Sequence, residues 1–437
     1  MRNLSILFVL IYLYSLCFGL FLTTSIRIPI PIMAALPLLL FFRKEQIKLL
    51  YLKELLIIGI AIFLYDVVGL SEFKPFFASL ITITIAALFF NYYVGTQEKR
   101  FNTAILIFYG WLLISALIMV INPVYPEKIN NLRTLLMGEP VLQSPSGIAI
   151  YQFNFGYQLA ALVTFLFIAT YVFKTSVFLK TLVLLVALVF IYLGMQRSIL
   201  VGFLVTAVLF LGLYFKFRSV FIIALAILAA ALLYTVVLRD HFDSYHNIVA
   251  KNELNDEAYN RTTLSAENLR IMTEYPYGLI FYGKTWSDVI YRNEVFSSGI
   301  TSHNAYLMFL TYLGPFLGLS LLALLYQKIV RITIAALRSI RRPENALMVC
   351  LCCSFLGVSL NSLSHNSWLL SPNGPTVFLY FAILHLDFMR RTRQHSLEPV
   401  QQQAIPTGFF LRKPMGNVKK PRGKMYPGIL TNFQKTP

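Results

Sequence analysis

The stretch T-S-H-N-A-Y-L-M-F-L-T-Y-L-G-P-F-L-G, residues 301–318, decides how the rest of the chain is interpreted. It begins with polar residues and then changes abruptly to an almost continuous apolar run. This pattern is typical of a membrane helix whose first turn lies at the water interface. Thr301 and Ser302 are residue types that cap helix N-termini, so we expect His303 to lie in the first helical turn.

The whole chain has the composition of a membrane protein. Of its 437 residues, 57% are hydrophobic and only 13% are charged. A water-soluble fold could not bury so much apolar surface, and repeated apolar runs of about 20 residues indicate membrane-spanning helices. The first run, residues 4–22, is too long for a signal peptide and no A-x-A site follows it, so we expect it to remain as a helix.

We therefore predict an all-α polytopic protein with about 12 transmembrane helices. The predicted spans are 4–24, 27–42, 50–70, 75–95, 101–121, 150–173, 177–195, 199–215, 219–239, 303–326, 345–364 and 373–390. With both termini in the cytoplasm, most of the 37 Lys and Arg residues fall on the inner side. The net charge of +18 thus indicates orientation and contact with membrane lipids, and we expect no nucleic-acid partner.

Two long outer loops interrupt the transmembrane domain, which we place at residues 1–390. Loop 122–149 is rich in proline, so we expect irregular structure or short helices. Loop 240–302 is polar. Beyond the domain, residues 391–437 form a basic segment that contains proline, and we expect a disordered cytoplasmic tail.

The second loop contains a predicted helix at residues 260–275, which Pro276 and Gly278 end. Its apolar positions form an imperfect face that would lie on the membrane or pack across the bundle. These positions are Leu264, Ala266, Leu269, Ile271 and Met272.

Three arginines are candidates for binding an anion. Arg197 lies in Q-R-S, between the seventh and eighth predicted spans, where it would either bind phosphate oxygens through its planar fork or extend to lipid headgroups. Arg261 and Arg270 are nine residues apart, so they point in opposite directions from one helix. They are therefore not expected to bind the same phosphate, and the alternative for Arg270 is a solvated helix face or an ion pair with Glu267 or Glu274.

Two His-Asn pairs complete the set of candidates. His303 and Asn304 stand at a helix start, where backbone N–H groups favour an anion and disfavour imidazolium, so a neutral His303 could accept a proton. His365 and Asn366 follow the eleventh predicted span. They are candidates for binding an acceptor sugar, or a plain polar pair at the interface.

The sequence also contains acidic residues, histidines and cysteines that could bind a metal or form disulfides, but their patterns are weaker. The spacing of Asp240, His241, Asp243 and His246 fits no strong metal-site pattern, so we expect no metal. Asp66 is a candidate structural or substrate-contacting carboxylate. The four cysteines lie in apolar runs and are expected to be buried and unpaired.

Taken in order, Q-R-S, R-x14-P-x-G (Arg261 to Gly278) and H-N-A-Y-L with L-G-P-F-L-G (His303 to Gly318) resemble the bacterial O-antigen ligase and polymerase family. The resemblance covers roughly the second half of the chain. One departure is Ser265, where that family often has Trp.

This resemblance implies a GT-C-type glycosyltransferase in the bacterial inner membrane, with its site on the periplasmic face. The donor would be a glycan on polyprenyl diphosphate, and the acceptor a glycan or lipid A core. Arginines would bind the diphosphate and His303 would act as the base, with no cofactor. We favour a polymerase of repeat units over a ligase. Transfer to protein, a flippase or transporter, and a non-catalytic membrane protein remain alternatives.

Overall fold

The structure, a computed structural model, describes residues 2–20, 30–41, 48–221, 224, 261–290, 301–371 and 373–397. Within these ranges the chain is predominantly helical and contains no β-strand, which confirms the all-α class. The remaining parts of loop 240–302 and of the predicted tail lie outside the described residues.

The helices are named in chain order. They are α1 (Arg2–Cys17), α2 (Ile30–Ala35), α3 (Leu52–Ile62), α4 (Phe73–Leu88), α5 (Glu98–Ile121), α6 (Pro126–Met137), α7 (Gln152–Val172), α8 (Val177–Leu193), α9 (Arg197–Phe215), α10 (Arg261–Glu274), α11 (Trp286–Ile290), α12 (Ala305–Arg338), α13 (Ala346–Asn361) and α14 (Gly374–Leu397). The helix of α2 continues as a 3₁₀ helix, Leu36–Phe41, and α3 and α4 continue as π-helices, Phe63–Gly69 and Phe89–Val94.

Six helices in the described part of the chain are long and apolar enough to cross a membrane. They are Phe73–Val94, Glu98–Ile121, Gln152–Val172, Arg197–Phe215, Ala305–Arg338 and Pro343–Ser364. Helical structure lies at each predicted span; of 219–239 only residues 219–221 and 224 are described, and these are helical. A polytopic membrane protein is therefore supported, while the count of twelve spans stays a prediction.

Helices α7 and α13 form the centre of the bundle, and small residues let them approach closely. Gly357 of α13 packs against Thr164 of α7, where an added Cβ would lie 2.7 Å from the threonine hydroxyl. One turn earlier, Ser354 Oγ donates to the carbonyl of Ala161 at 2.8 Å. In a membrane, where lipid is as apolar as leucine, such close contacts and buried hydrogen bonds hold helices together. All four cysteines are buried and free, as predicted.

Helix α12 is longer than the predicted span 303–326. It continues to Arg338, and Gly314 (φ 75°, ψ 166°) interrupts it just before Pro315. The part after the break is about 36 Å long at 1.5 Å per residue, which is long enough to cross a bilayer by itself. The prediction ended the span before Lys328, whose amino group in fact forms an ion pair with Glu54 of α3.

Helix α14 also passes its predicted end at residue 390 and runs to Leu397. Arg391 pairs with Asp387 at 2.9 Å, and Arg393 pairs with Glu98 of α5 at 2.7 Å. The first residues of the predicted disordered tail are therefore helical. Residues 398–437 lie outside the described residues.

Candidate functional site

The Q-R-S motif joins the start of α9 to the start of α7. Gln196 precedes α9 and its side chain lies over Gly156, where any Cβ would overlap the amide. Its Nε2 donates to the carbonyl of Gln152, and the Nε2 of Gln152 donates to the carbonyl of Gly194 at 3.0 Å. These contacts lock the junction at which Arg197, the half-buried first residue of α9, stands.

Ser198, next to Arg197, connects this junction to the second His-Asn pair. Its hydroxyl donates to Oδ1 of Asn361 at 2.8 Å, and Nε2 of His365 lies 3.3 Å from Oγ of Ser198. Because the hydroxyl proton is used on Asn361, Oγ of Ser198 is left to accept a hydrogen bond from Nε2–H of His365. The His365 ring is 7% exposed and packs between Phe153 and Tyr157.

The two His-Asn pairs meet at the beginning of α12. The backbone N–H of Ala305 donates to the carbonyl of His365 at 3.0 Å. The side-chain amide of Asn366, which is exposed, donates to Oγ1 of Thr301. The sequence predicts these pairs at the same membrane face, and in the structure the second pair bonds to Thr301 and Ala305, the residues that flank the first pair.

His303 is not in the first turn of α12, which corrects our expectation. The N-cap is Asn304, whose Oδ1 accepts from the N–H of Leu307 at 3.0 Å. His303 therefore lies one residue before the cap, half-buried, with φ 51°. Thr301 Oγ1 instead accepts from the N–H of His303 at 3.4 Å. Asparagine is as strong a cap as serine or threonine, so Asn304 competes with the two predicted caps, Thr301 and Ser302, and tertiary contacts select Asn304.

Asn304 and Asn366 thus already use side-chain atoms in hydrogen bonds that shape the loops. Two further buried polar atoms of this region, Oγ of Ser302 and Nδ2 of Asn361, have no hydrogen-bond partner among the described residues. Buried polar atoms are normally satisfied by protein, water or ligand. The region is therefore a polar cluster at the helix ends with hydrogen-bonding capacity to spare.

Helix α10 packs on the first part of α12. Leu264 and Ile271 are buried on its contact face, and between them lies Asn268, which is fully buried. The predicted apolar face is partly wrong, because Ala266 and Leu269 are exposed. The apolar pattern could not show that the centre of this face is an asparagine.

The P-x-G turn after α10 sits directly on the break in α12. Gly278 (φ 99°) and Gly314 (φ 75°) both have left-handed φ, and an added Cβ on either would overlap the backbone of the other segment. Nearby, the N–H of Trp286 donates to the hydroxyl of Tyr312 at 3.2 Å. The loop motif and the helix motif are thus parts of one packed unit.

The two loop arginines have different surroundings. The side chain of Arg270 is 67% exposed and lies 3.5 Å from Glu267 and 3.3 Å from Glu274. This is the solvated, ion-paired arrangement that we gave as the alternative to anion binding. Arg261 is the first residue of α10, and its side chain lies outside the described residues.

Arg133 of α6, in loop 122–149, was not among the residues that the sequence singled out. This guanidinium is completely buried and donates to the neutral oxygens of Asn130, Ser144, Ser146 and Ala149. Burial lowers the pKa of Arg133 to about 10, so it stays charged at neutral pH. It fixes residues 144–149 against α6, and a proline-rich segment of this kind would otherwise have few internal contacts.

Asp66, another candidate, is buried in the π-helix that ends α3, where its backbone carbonyl accepts from the N–H of Glu72 at 2.7 Å. The candidate metal group at residues 240–246 lies outside the described residues. Comparison with models of known protein families and with curated proteins finds no match to this chain.

Proposed function

We propose that the protein is a membrane glycosyltransferase that polymerises oligosaccharide repeat units carried on polyprenyl diphosphate, of the O-antigen polymerase type. The observation that carries the proposal is the meeting of Q-R-S, the His365–Asn366 pair and the start of the H-N motif at one cluster of helix ends. Ser198 of Q-R-S bonds to His365, and the carbonyl of His365 accepts from the first residue after the H-N motif. Each motif alone is weak, and their convergence supports the resemblance.

The proposed donor site uses the arginine at the start of α9. A guanidinium binds two phosphate oxygens at once and is always charged, which suits a diphosphate leaving group. Arg197 is half-buried at a helix N-terminus, where backbone N–H groups also favour an anion. Arg261 is the proposed second ligand, and Arg270 is the weaker candidate because it is exposed and paired with glutamates.

In the proposed reaction, a sugar hydroxyl of the acceptor attacks the anomeric carbon of the donor glycan. The carbon–oxygen bond to the diphosphate breaks, polyprenyl diphosphate leaves, and the acceptor proton passes to His303. The arginines stabilise the charge that develops on the leaving group. Because the donor already carries a good leaving group, the proposal needs neither a nucleotide nor a metal. Asn304, His365 and Asn366 are the proposed acceptor-side residues.

The runner-up is a ligase that transfers the finished glycan to lipid A core. Deletion of the gene followed by gel analysis of surface glycan separates the two. Loss of the length ladder with single repeats still attached to core supports the polymerase. Bare core with lipid-linked polymer supports the ligase, and an unchanged glycan profile contradicts both. If the protein is instead a flippase, deletion of the gene should cause lipid-linked repeat units to accumulate on the cytoplasmic leaflet.

The proposal also places both termini in the cytoplasm and residues 240–302 outside an inner membrane, on the positive-inside pattern. Single cysteines at Ser244 and Ser297, in a variant without the native cysteines, should react with an impermeant reagent in spheroplasts. A cysteine at Ser396 should stay protected until the membrane is permeabilised. The reverse labelling pattern contradicts this orientation.

A further inference from the structure

One buried amide fixes α10 to α12. Asn268 is 0% exposed; its Oδ1 accepts from Oγ1 of Thr311 at 2.6 Å, and its Nδ2 lies 3.1 Å from Sδ of Met308. A buried amide without partners costs free energy, so sliding α10 by one turn along α12 is disfavoured. The contact therefore sets where α10 sits along its neighbour.

A second contact gives the direction of α10. Asn268 lies beside Met308 and Thr311, and Gly278, further along the chain, lies beside Gly314. Residue numbers therefore increase in the same direction along both segments, so α10 runs parallel to the first part of α12. The same stripe of α10 holds Leu264, Asn268 and Ile271, all buried, at the spacing of one helix face.

Position 261 belongs to that stripe, two turns before Asn268 and about 10 Å away along the helix axis. An equal step back from Met308 and Thr311 passes the start of α12 at Ala305 and reaches the segment 301–304 just before it. Arg270 falls on the opposite, exposed face. The register thus distinguishes two arginines that sequence spacing alone left as rivals.

We infer that Asn268 is a positioning residue, which holds the first turn of α10 beside residues 301–304 and so brings Arg261 to His303. The placement of the backbone stands by itself. The catalytic consequence rests on the proposed function, since it assumes that Arg261 and His303 act on one substrate.

The placement is tested by cross-linking, which needs no activity. In a variant without native cysteines, with a protease site inserted between residues 291 and 300, we compare Arg261→Cys/Thr301→Cys with the control Arg270→Cys/Thr301→Cys. A short bis-maleimide should keep the two protease fragments joined in the first pair and not in the second. Equal cross-linking of both pairs, or of neither, overturns the register.

The role of the amide is tested in the same assay. Thr311→Val removes the donor to Asn268 with little change of volume, and should lower the cross-linking yield severalfold, whereas Thr311→Ser keeps the donor and should restore it. Asn268→Leu should act like Thr311→Val. Unchanged yield in both Thr311→Val and Asn268→Leu overturns the positioning role.

The catalytic consequence is tested with purified enzyme and lipid-linked donor. Thr311→Val should slow turnover by up to about 10²-fold, the effect of misplacing a reacting group by about 1 Å, and Thr311→Ser should be close to wild type. If cross-linking shifts as expected while turnover is unchanged, the link to catalysis is wrong. If the wild-type protein has no transferase activity, the proposed function fails and the cross-linking result still stands.

Discussion

Gly278 and Gly314 lie backbone against backbone, and no other residue type fits at either position. A Cβ on Gly278 would lie 2.7 Å from the carbonyl oxygen of Tyr312 and would overlap the backbone of Leu313 and Gly314. Both residues have left-handed φ, 99° and 75°, a region in which only glycine is free of strain. This contact joins the end of the arginine loop to the break in the helix that follows His303.

We therefore expect Gly278→Ala to impair both stability and activity. The methyl group adds overpacking of about 1–3 kcal/mol to the strain of an alanine held at φ 99° and ψ 145°, a backbone region that essentially only glycine adopts. Gly283→Ala is the control for a positive φ alone, because its φ is 58° (ψ 33°) and no atom lies within 4 Å of the added Cβ. The measurements are the thermal midpoint in detergent and the glycan length ladder. Equal effects of the two substitutions would contradict the close contact.

Ser198 and His365 should act as a coupled pair. Ser198→Ala removes the oxygen that lies between Asn361 and His365, and His365→Gln removes the ring. Contacting residues typically show coupling of about 0.5–3 kcal/mol, so the double variant should lose less activity than the two single losses combined. The measurement is turnover of lipid-linked donor at equal expression. Fully additive losses would show that the hydrogen bond has no role in turnover.

The three arginines should differ in their importance. Arg197→Ala and Arg261→Ala should each abolish activity while the protein still inserts, and lysine should restore it only partly because it lacks the planar fork. Arg270→Ala should have a small effect, since exposed ion pairs such as its contacts with Glu267 and Glu274 contribute at most about 1 kcal/mol. Wild-type glycan in Arg197→Ala would remove that residue from the diphosphate site.

His303 is best tested with asparagine. His303 has a left-handed φ of 51°, which asparagine tolerates better than alanine or glutamine, so His303→Asn removes the base with little backbone strain. A positioned base contributes typically about 10²–10⁴-fold, and turnover should fall accordingly while binding of donor persists. If His303→Asn keeps near-wild-type turnover in the purified enzyme, the base lies elsewhere, and His365 becomes the next residue to substitute.

Sequence reasoning found most of the helices because the signal is local. The length and composition of an apolar run decide whether a segment is a membrane helix, and these can be counted directly. The structure places α7 at Gln152–Val172 and α8 at Val177–Leu193, close to the predicted 150–173 and 177–195. The ends of the helices were predicted less accurately from the sequence. The predicted span 303–326 stops before a basic residue, Lys328, but helix α12 continues to Arg338.

The motifs were visible in the sequence, but their partners were not. Nothing in the local sequence around Asn268 or Asn361 distinguishes a buried polar anchor from an ordinary polar residue of a helix. Both became recognisable only through contacts with residues far along the chain, Thr311 and Ser198. The same holds for Arg133, whose complete burial depends on how loop 122–149 folds over it.

Apolar run length, the distribution of positive charge and the order of the motifs are properties of the chain alone. They are enough to predict a helical membrane protein and the residue types at its helix ends. Which of these residues meet depends on how the helices pack. In the folded protein Gly278 packs against Gly314, Ser198 contacts His365 and Asn304 caps α12. Such contacts depend on the packing of helices that are distant in sequence, and no local pattern encodes that packing.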